Sequence, residues 1–153
     1  MNQAKQIKAY LLAHCNNYLQ KRYNSVSKTL SSIKFSLESE TKSSAGDKHE
    51  TGRAMLQLER EKTSRQLLEI NREKQILNRI SSESTSQIIC LGSLVLTSNT
   101  NYFIAISAGE IQYEGVTYYA ISPAAPVARL LMGKKREETF LFQRNEITIK
   151  EVF

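Results

Sequence analysis

From Leu12 onward, apolar side chains recur at Leu12, Cys15, Leu19, Tyr23, Val26, Leu30, Ile33 and Leu37, in steps of 3, 4, 4, 3, 4, 3 and 4. This is a heptad seam with one irregular step. No Gly or Pro interrupts residues 1–45. The pattern therefore predicts one helix of about 40 residues, roughly 60 Å long at 1.5 Å per residue. A helix of that length needs a partner for its apolar stripe, and the next segment supplies one. Met55, Leu58, Leu67, Ile70, Leu77 and Ile80 form a second, less regular seam with a polar gap at residues 59–66. Glu59 with Lys62, Glu61 with Arg65 and Glu69 with Arg72 are spaced to support its exposed face. Two antiparallel helices joined by a short turn make a hairpin.

The turn itself reads "SSAGDKHETG", residues 43–52. Gly46 suits the left-handed position that ends a helix, Asp47 suits an N-cap, and Glu50 sits where a capping box places its acid. The cap accounts for these residues without any chemistry. Spacing alone does not decide whether Asp47 and Glu50 do more.

After Ile80 the pattern changes at the polar linker "SSESTS". Beyond it, "QIICLGSLVLTS", "NYFIAISA", "VTYYAIS", "TFLFQ" and "EITIKEVF" are short, rich in β-branched and aromatic residues, and punctuated by Gly92, Asn99, Gly109, Gly115 and Asn145. They predict four or five strands of an antiparallel or mixed sheet. Within "SPAAPVARLLMGKK", Ser122 and two prolines open a short helix and Gly133 closes it. The expected fold class is α+β: a helical hairpin over residues 1–82 with its tip at 44–52, then a small α+β domain over 83–153.

Charge sharpens this division. Residues 1–82 hold 15 Lys/Arg against 8 Asp/Glu, net +7, whereas residues 83–153 hold 6 against 7, net −1. Residues 1–37 contain Lys5, Lys8, Lys21, Arg22, Lys28 and Lys34 and no acid. Such a stripe suits a polyanionic partner, through counterion release and long-range attraction, and equally suits a solvated helix face. No apolar run approaches the ~20 residues of a membrane span, and the N-terminal apolar patch is too short for a signal peptide, so a cytosolic location with no membrane partner is expected. Cys15 and Cys90 stand far apart and give neither a disulfide framework nor a metal-ligand spacing.

The stretch "ISPAAPVARLLMGKKREETFLF", residues 121–142, carries Ala125-Pro126, Ala128-Arg129, Leu131 and Gly133-Lys134 at fixed spacing, and the turn reads Gly46-Asp47-Lys48-His49-Glu50. On these residues the chain resembles the Gre family of bacterial transcription elongation factors over nearly its whole length. The resemblance implies an N-terminal antiparallel coiled coil and a C-terminal domain with an FKBP-like fold. It implies a monomer that binds RNA polymerase, reaches into the secondary channel and stimulates cleavage of backtracked nascent RNA. It acts in trans, with no stand-alone catalytic site and no small-molecule substrate. Asp47 and Glu50 are the implied catalytic and metal residues, sharing a Mg²⁺ ion with the polymerase and binding none alone. Mg²⁺ usually takes one or two protein carboxylates with waters and phosphate oxygens, so a donated pair can complete such a site. After Glu50 the family's Asn-Ala-Glu-Tyr is replaced by Thr51, Gly52, Arg53 and Ala54.

Contact candidates for the polymerase or RNA are Lys48, His49 and Arg53 at the tip, and Arg129, Lys134, Lys135 and Arg136 around the short helix. The alternative is for Lys48 and Arg53 simply to offset two acids, for His49 to be a solvated turn residue, and for the second cluster to complement a helix dipole. Tyr10, Tyr18 and Tyr23 are expected to pack rather than to stack on bases, and Tyr118 and Tyr119 to divide between core and surface. A self-contained acyl-transfer site is disfavoured, because His14 adjoins Cys15 on one helix and faces another way. Prolyl isomerisation has only fold analogy behind it. The rival to a polymerase factor is an interaction module whose tip is only a cap or, within the same architecture, a channel regulator that does not promote cleavage.

Overall fold

In a computed structural model of the chain, residues 2–42 and 47–153 are described, those at 41, 42 and 47–49 by their backbone alone. Two long helices come first, α1 at Asn2–Lys42 and α2 at Asp47–Asn78. There follow β1 (Leu94–Thr97), β2 (Asn101–Ile104), β3 (Gly109–Tyr113), β4 (Val116–Ile121), α3 (Pro126–Leu131), β5 (Thr139–Phe142) and β6 (Asn145–Val152). The class is α+β, as the sequence implies. The chain divides into two compact units, one of Leu19–Lys74 and one of Met1–Tyr18 with Gln75–Phe153.

In the first unit α1 and α2 run antiparallel. Arg22 pairs with Glu73 at 2.7 Å, the Lys74 ammonium lies 4.1 Å from the centre of the Tyr23 ring, and Arg53 Nη1 donates to the Leu37 carbonyl at 3.3 Å. Partners thus descend along α2 as positions ascend along α1. Leu19, Ile33 and Leu37 are buried on α1, facing a stripe on α2 that contains Thr63 and Ile70. Here the expected second seam is corrected: Met55 and Leu58 are each 66% exposed. Leu56 is half-buried, and with Thr63, Ile70 and Leu77 it forms a line in strict steps of seven. At 3.6 residues per turn that line holds one face, from which Met55 and Leu58 are rotated by roughly 100° and 200°. The polar gap is closed by Thr63, only 4% exposed. Of the three expected exposed ion pairs, Glu69–Arg72 closes at 3.4 Å.

The second unit joins the ends of both helices to a six-stranded mixed sheet of order β3-β4-β2-β1-β6-β5, in which β2 and β4 are parallel and the other pairs antiparallel. The register is held by pairs such as Phe103 with Ala120 and Phe140 with Ile147. Val127, Ala128 and Leu131 of α3 are buried with Val95, Tyr102, Ile104, Phe140, Ile147 and Ile149 in one core cluster. Alternation along β2 sends Phe103 to the other face, where it is fully buried. Buried on the early turns of α1 are Ala4, Lys8, Leu11 and Cys15, so the seam enters through Leu11, with Leu12 half-buried beside it. The Tyr10 ring lies 4.6 Å from Tyr113. Packing, as expected, accounts for Tyr10 and Tyr23.

Two strand expectations are revised. β3 was absent from the predicted set because only Ile111 of "GEIQY" is buried: as an edge strand between Gly109 and Gly115 it carries the polar composition of a loop. Conversely, "QIICLG" forms one isolated antiparallel bridge, Ile88 with Lys135, before Gly92 at φ +90° turns the chain and donates its N–H to Ile104. The expected opening of α3 is corrected: Ser122 and Pro123 precede the helix, which starts at Pro126 after Ala125 in extended conformation with no side-chain cap, whereas Gly133 follows its end at φ +83° as expected. Tyr118 is buried and Tyr119 is 36% exposed, as alternation requires.

Candidate functional site

The turn between α1 and α2 is the first candidate. The backbone is helical from Asp47 onward, so Asp47 and Glu50 stand three residues apart in the opening turn of α2, a spacing that puts two side chains on neighbouring positions of one face. Glu50 is exposed. The side chains of Asp47, Lys48 and His49, and Gly46 altogether, lie outside the described residues, as does the capping geometry assigned to them. Asp47 is the only aspartate in the sequence.

Arg53, one turn past Glu50, is half-buried and directs Nη1 to the Leu37 carbonyl of α1. That contact ties the two helices together next to the turn and gives the residue a packing role. Gly52 also faces α1: a Cβ built there would sit 3.8 Å from Glu40 Oε1, an ordinary van der Waals distance. Among the described residues no group of three or more His, Cys, Asp or Glu side chains is placed to hold a metal ion.

The second candidate, Arg129 with Lys134, Lys135 and Arg136, lies in the other unit. Arg129 occupies the last turn of α3 and is exposed, where its charge complements the carbonyl end of the helix. Lys134 is half-buried, and its carbonyl accepts from Ile89 N–H at 2.8 Å. The backbone N–H of Lys135 donates to Glu138 at 2.6 Å, and Arg136 pairs with Glu151 at 3.4 Å. Lys135 and Arg136 border a surface groove of about 400 Å³ with Gln87 and Glu151. An exposed ion pair of this kind holds its partners loosely and leaves the arginine able to exchange one carboxylate for another anion.

The basic stripe of α1 is broken up by the fold. Lys5 pairs with Glu83 at 3.2 Å, Arg22 with Glu73, and Lys8 is buried with its ammonium donating to the Ser84 carbonyl at 2.6 Å. Lys21, Lys28 and Lys34 stay exposed. Sequence reasoning passed over Lys8 as one more surface cation, although the spacing Ala4, Lys8, Leu11, Cys15 places it on the buried stripe. Burial lowers its pKa from the usual lysine value, with the nearby Cys90 thiol acting in the opposite sense. Cys15 is fully buried, and its thiol is pushed up to about 12 by burial, against a smaller opposing effect of a hydrogen bond with the Ile106 backbone. Cys90 is exposed. No helix among the described residues is long and apolar enough to cross a membrane.

No family model and no curated protein sequence matches the chain. Among solved structures, the chain is similar to one described as that of the transcription factor Gfh1, at 15% identity, over 97% of this chain and 92% of that one, with a TM-score of 0.34.

Proposed function

We propose that the chain is a Gre-like regulator that acts on RNA polymerase. Its antiparallel helices deliver Asp47 and Glu50 to the polymerase active site, and its sheet domain docks on the enzyme through the basic residues around α3. The observation that carries this reading is the exposed Glu50 in the first helical turn that Asp47 opens, at the junction of two long antiparallel helices. Two carboxylates three residues apart are hard oxygen donors suited to Mg²⁺, which usually takes its remaining ligands from waters and phosphate oxygens. Mg²⁺ held there would supply an activated water and neutralise phosphodiester charge. The contribution of this chain is to position two acids at the end of a stiff helical pair.

One observation favours a variant without cleavage. Thr51, Gly52 and Arg53 stand where the family motif has Asn, Ala and Glu, and Arg53 is turned to the Leu37 carbonyl. On this variant the helices occupy the channel and the acids do not activate hydrolysis.

The test is transcript cleavage on stalled, backtracked polymerase, with polymerase affinity measured separately. Asp47→Asn retains a capping acceptor and removes the charge a metal needs. The expected result is stimulated cleavage by the wild type and its loss in Asp47→Asn and Glu50→Gln at unchanged affinity. Binding without stimulation selects the non-cleaving variant. Absence of binding to polymerase refutes both.

A further inference from the structure

The sheet ends in two edge strands, β3 and β5, and they are covered differently. β3 carries Glu110 and Gln112, both exposed and joined at 2.8 Å, a charged and polar pair of the kind that discourages the addition of another strand. β5 has no such cover: Thr139 is exposed, and Leu141 is 70% exposed.

In an antiparallel ladder, alternate residues turn their N–H and C=O toward the partner and the residues between them turn away. Phe140 stands opposite Ile147 and Phe142 opposite Asn145 across the two-residue turn at Gln143 and Arg144, and the Ile149 N–H donates to the Glu138 carbonyl at 2.9 Å. Glu138, Phe140 and Phe142 are therefore the residues bonded to β6. Thr148, opposite Thr139, fixes the same phase, because its N–H donates to Ser98 Oγ at 3.0 Å and its carbonyl accepts the Ser98 N–H at 2.9 Å, both on the β1 side. Thr139 and Leu141 thus aim their N–H and C=O groups out of the sheet, and no backbone group among the described residues meets them.

Charge selects what pairs there. Glu137 and Glu138, both exposed, stand at the start of β5, while Arg136 is turned the other way, onto Glu151 of β6. Exposed Arg144 stands at its end, in a turn where both Gln143 (φ 51°) and Arg144 (φ 69°) hold the left-handed backbone that Asn or Gly adopts with less strain. The segment is acidic, then apolar, then basic, so its best antiparallel complement is itself.

We propose that β5 pairs antiparallel with β5 of a second copy of this chain, Thr139 opposite Leu141 and Phe140 opposite its own mate. That register satisfies every outward N–H and C=O of Thr139 and Leu141, joins the two sheets edge to edge, packs Leu141 against Thr139, and brings the acids at the start of each strand to Arg144 of the other. A four-residue edge falls short of the ~1,200 Å² of a stable interface, so the dimer is weak and reversible.

Sedimentation velocity of the whole chain from micromolar to millimolar concentration tests the pairing. A dimer is expected at the upper end, with hydrogen exchange of the Thr139 and Leu141 amides slowing as it forms. Leu141→Lys alters an exposed side chain and leaves the fold intact, and it is expected to weaken dimerisation about tenfold or more. Glu137→Lys and Arg144→Glu are each expected to weaken it as well, and an equimolar mixture of these two variants to restore it, since opposite charges then meet at both ends of the paired strands. The proposal is overturned by a chain that stays monomeric to millimolar concentration, which leaves the edge to a strand of another protein. It is equally overturned by a dimer that Leu141→Lys does not weaken, or by a mixture that associates no better than either variant alone.

Discussion

Ile70→Ala and Met55→Ala together separate the helix seam observed from the one that hydrophobic spacing suggests. Ile70 is 0% exposed at the centre of the α1–α2 interface, and the substitution removes three carbon atoms. At about 0.8 kcal/mol per buried methylene the lost transfer energy is ~2.4 kcal/mol, and the cavity left between two helices adds to it, for a total of about 3–4 kcal/mol. Met55 is 66% exposed, so about a third of a transfer energy near 2 kcal/mol is at stake, ~0.7 kcal/mol at most, with no closed cavity. Urea denaturation followed by circular dichroism measures both, and a preserved slope with denaturant confirms that stability alone has changed. Hydrogen exchange of amides within Leu19–Lys74 places the loss of Ile70→Ala in the helical unit. Equal destabilisation by the two substitutions would refute the heptad line through Leu56, Thr63 and Ile70.

At the tip, Gly52→Ala is expected to raise stability by about 1 kcal/mol, since a helical glycine costs that much and the added Cβ meets Glu40 at a comfortable 3.8 Å. A fall in melting temperature would show that Gly52 is required for close approach. The cysteines give a pH-dependent prediction. A thiol reagent at neutral pH should modify Cys90 in the native protein and Cys15 only after unfolding. Because burial pushes the folded Cys15 thiol up to about 12, above the ordinary thiol value of 9.0 that applies in the unfolded chain, its contribution to stability is fully present below pH 9. It is then lost as pH rises toward 12, by roughly 1.4 kcal/mol per unit. Lys8 works oppositely, since its folded pKa is lowered: its contribution is lost as pH falls through the folded value and is regained toward 10.5. Cys15→Ala should therefore flatten the alkaline decline in urea stability, and an unchanged slope would exclude the buried thiol as its cause.

The two long helices, the α3 segment and most strands were legible in the sequence, because each is encoded locally. An uninterrupted heptad needs no distant partner to be read as a helix, and Pro126 and Gly133 mark the ends of α3 through their own backbone preferences. β3 was not legible, since an edge strand with one buried residue has no hydrophobic alternation to show. The Asp47–Glu50 pair was visible as a motif. Its reading as a probe rests on the residue pattern at 121–142 and on the pairing of the helices.

The sequence by itself determined where the chain is helical, where it becomes a sheet, and that an acid pair opens the second helix. Only the tertiary structure decided which apolar residues face inward on α2 and what becomes of the basic charges on α1. Periodicity specifies a face only to within a residue or so. The choice of Leu56 and Thr63 over Met55 and Leu58 is made by the geometry of the opposing helix. Likewise a lysine count cannot show that Lys5, Lys8 and Arg22 are spent on Glu83, Ser84 and Glu73, because those partners lie 51 to 78 residues away along the chain. Charge is a property of composition, but its availability to a partner depends on which side chains the fold has brought beside it.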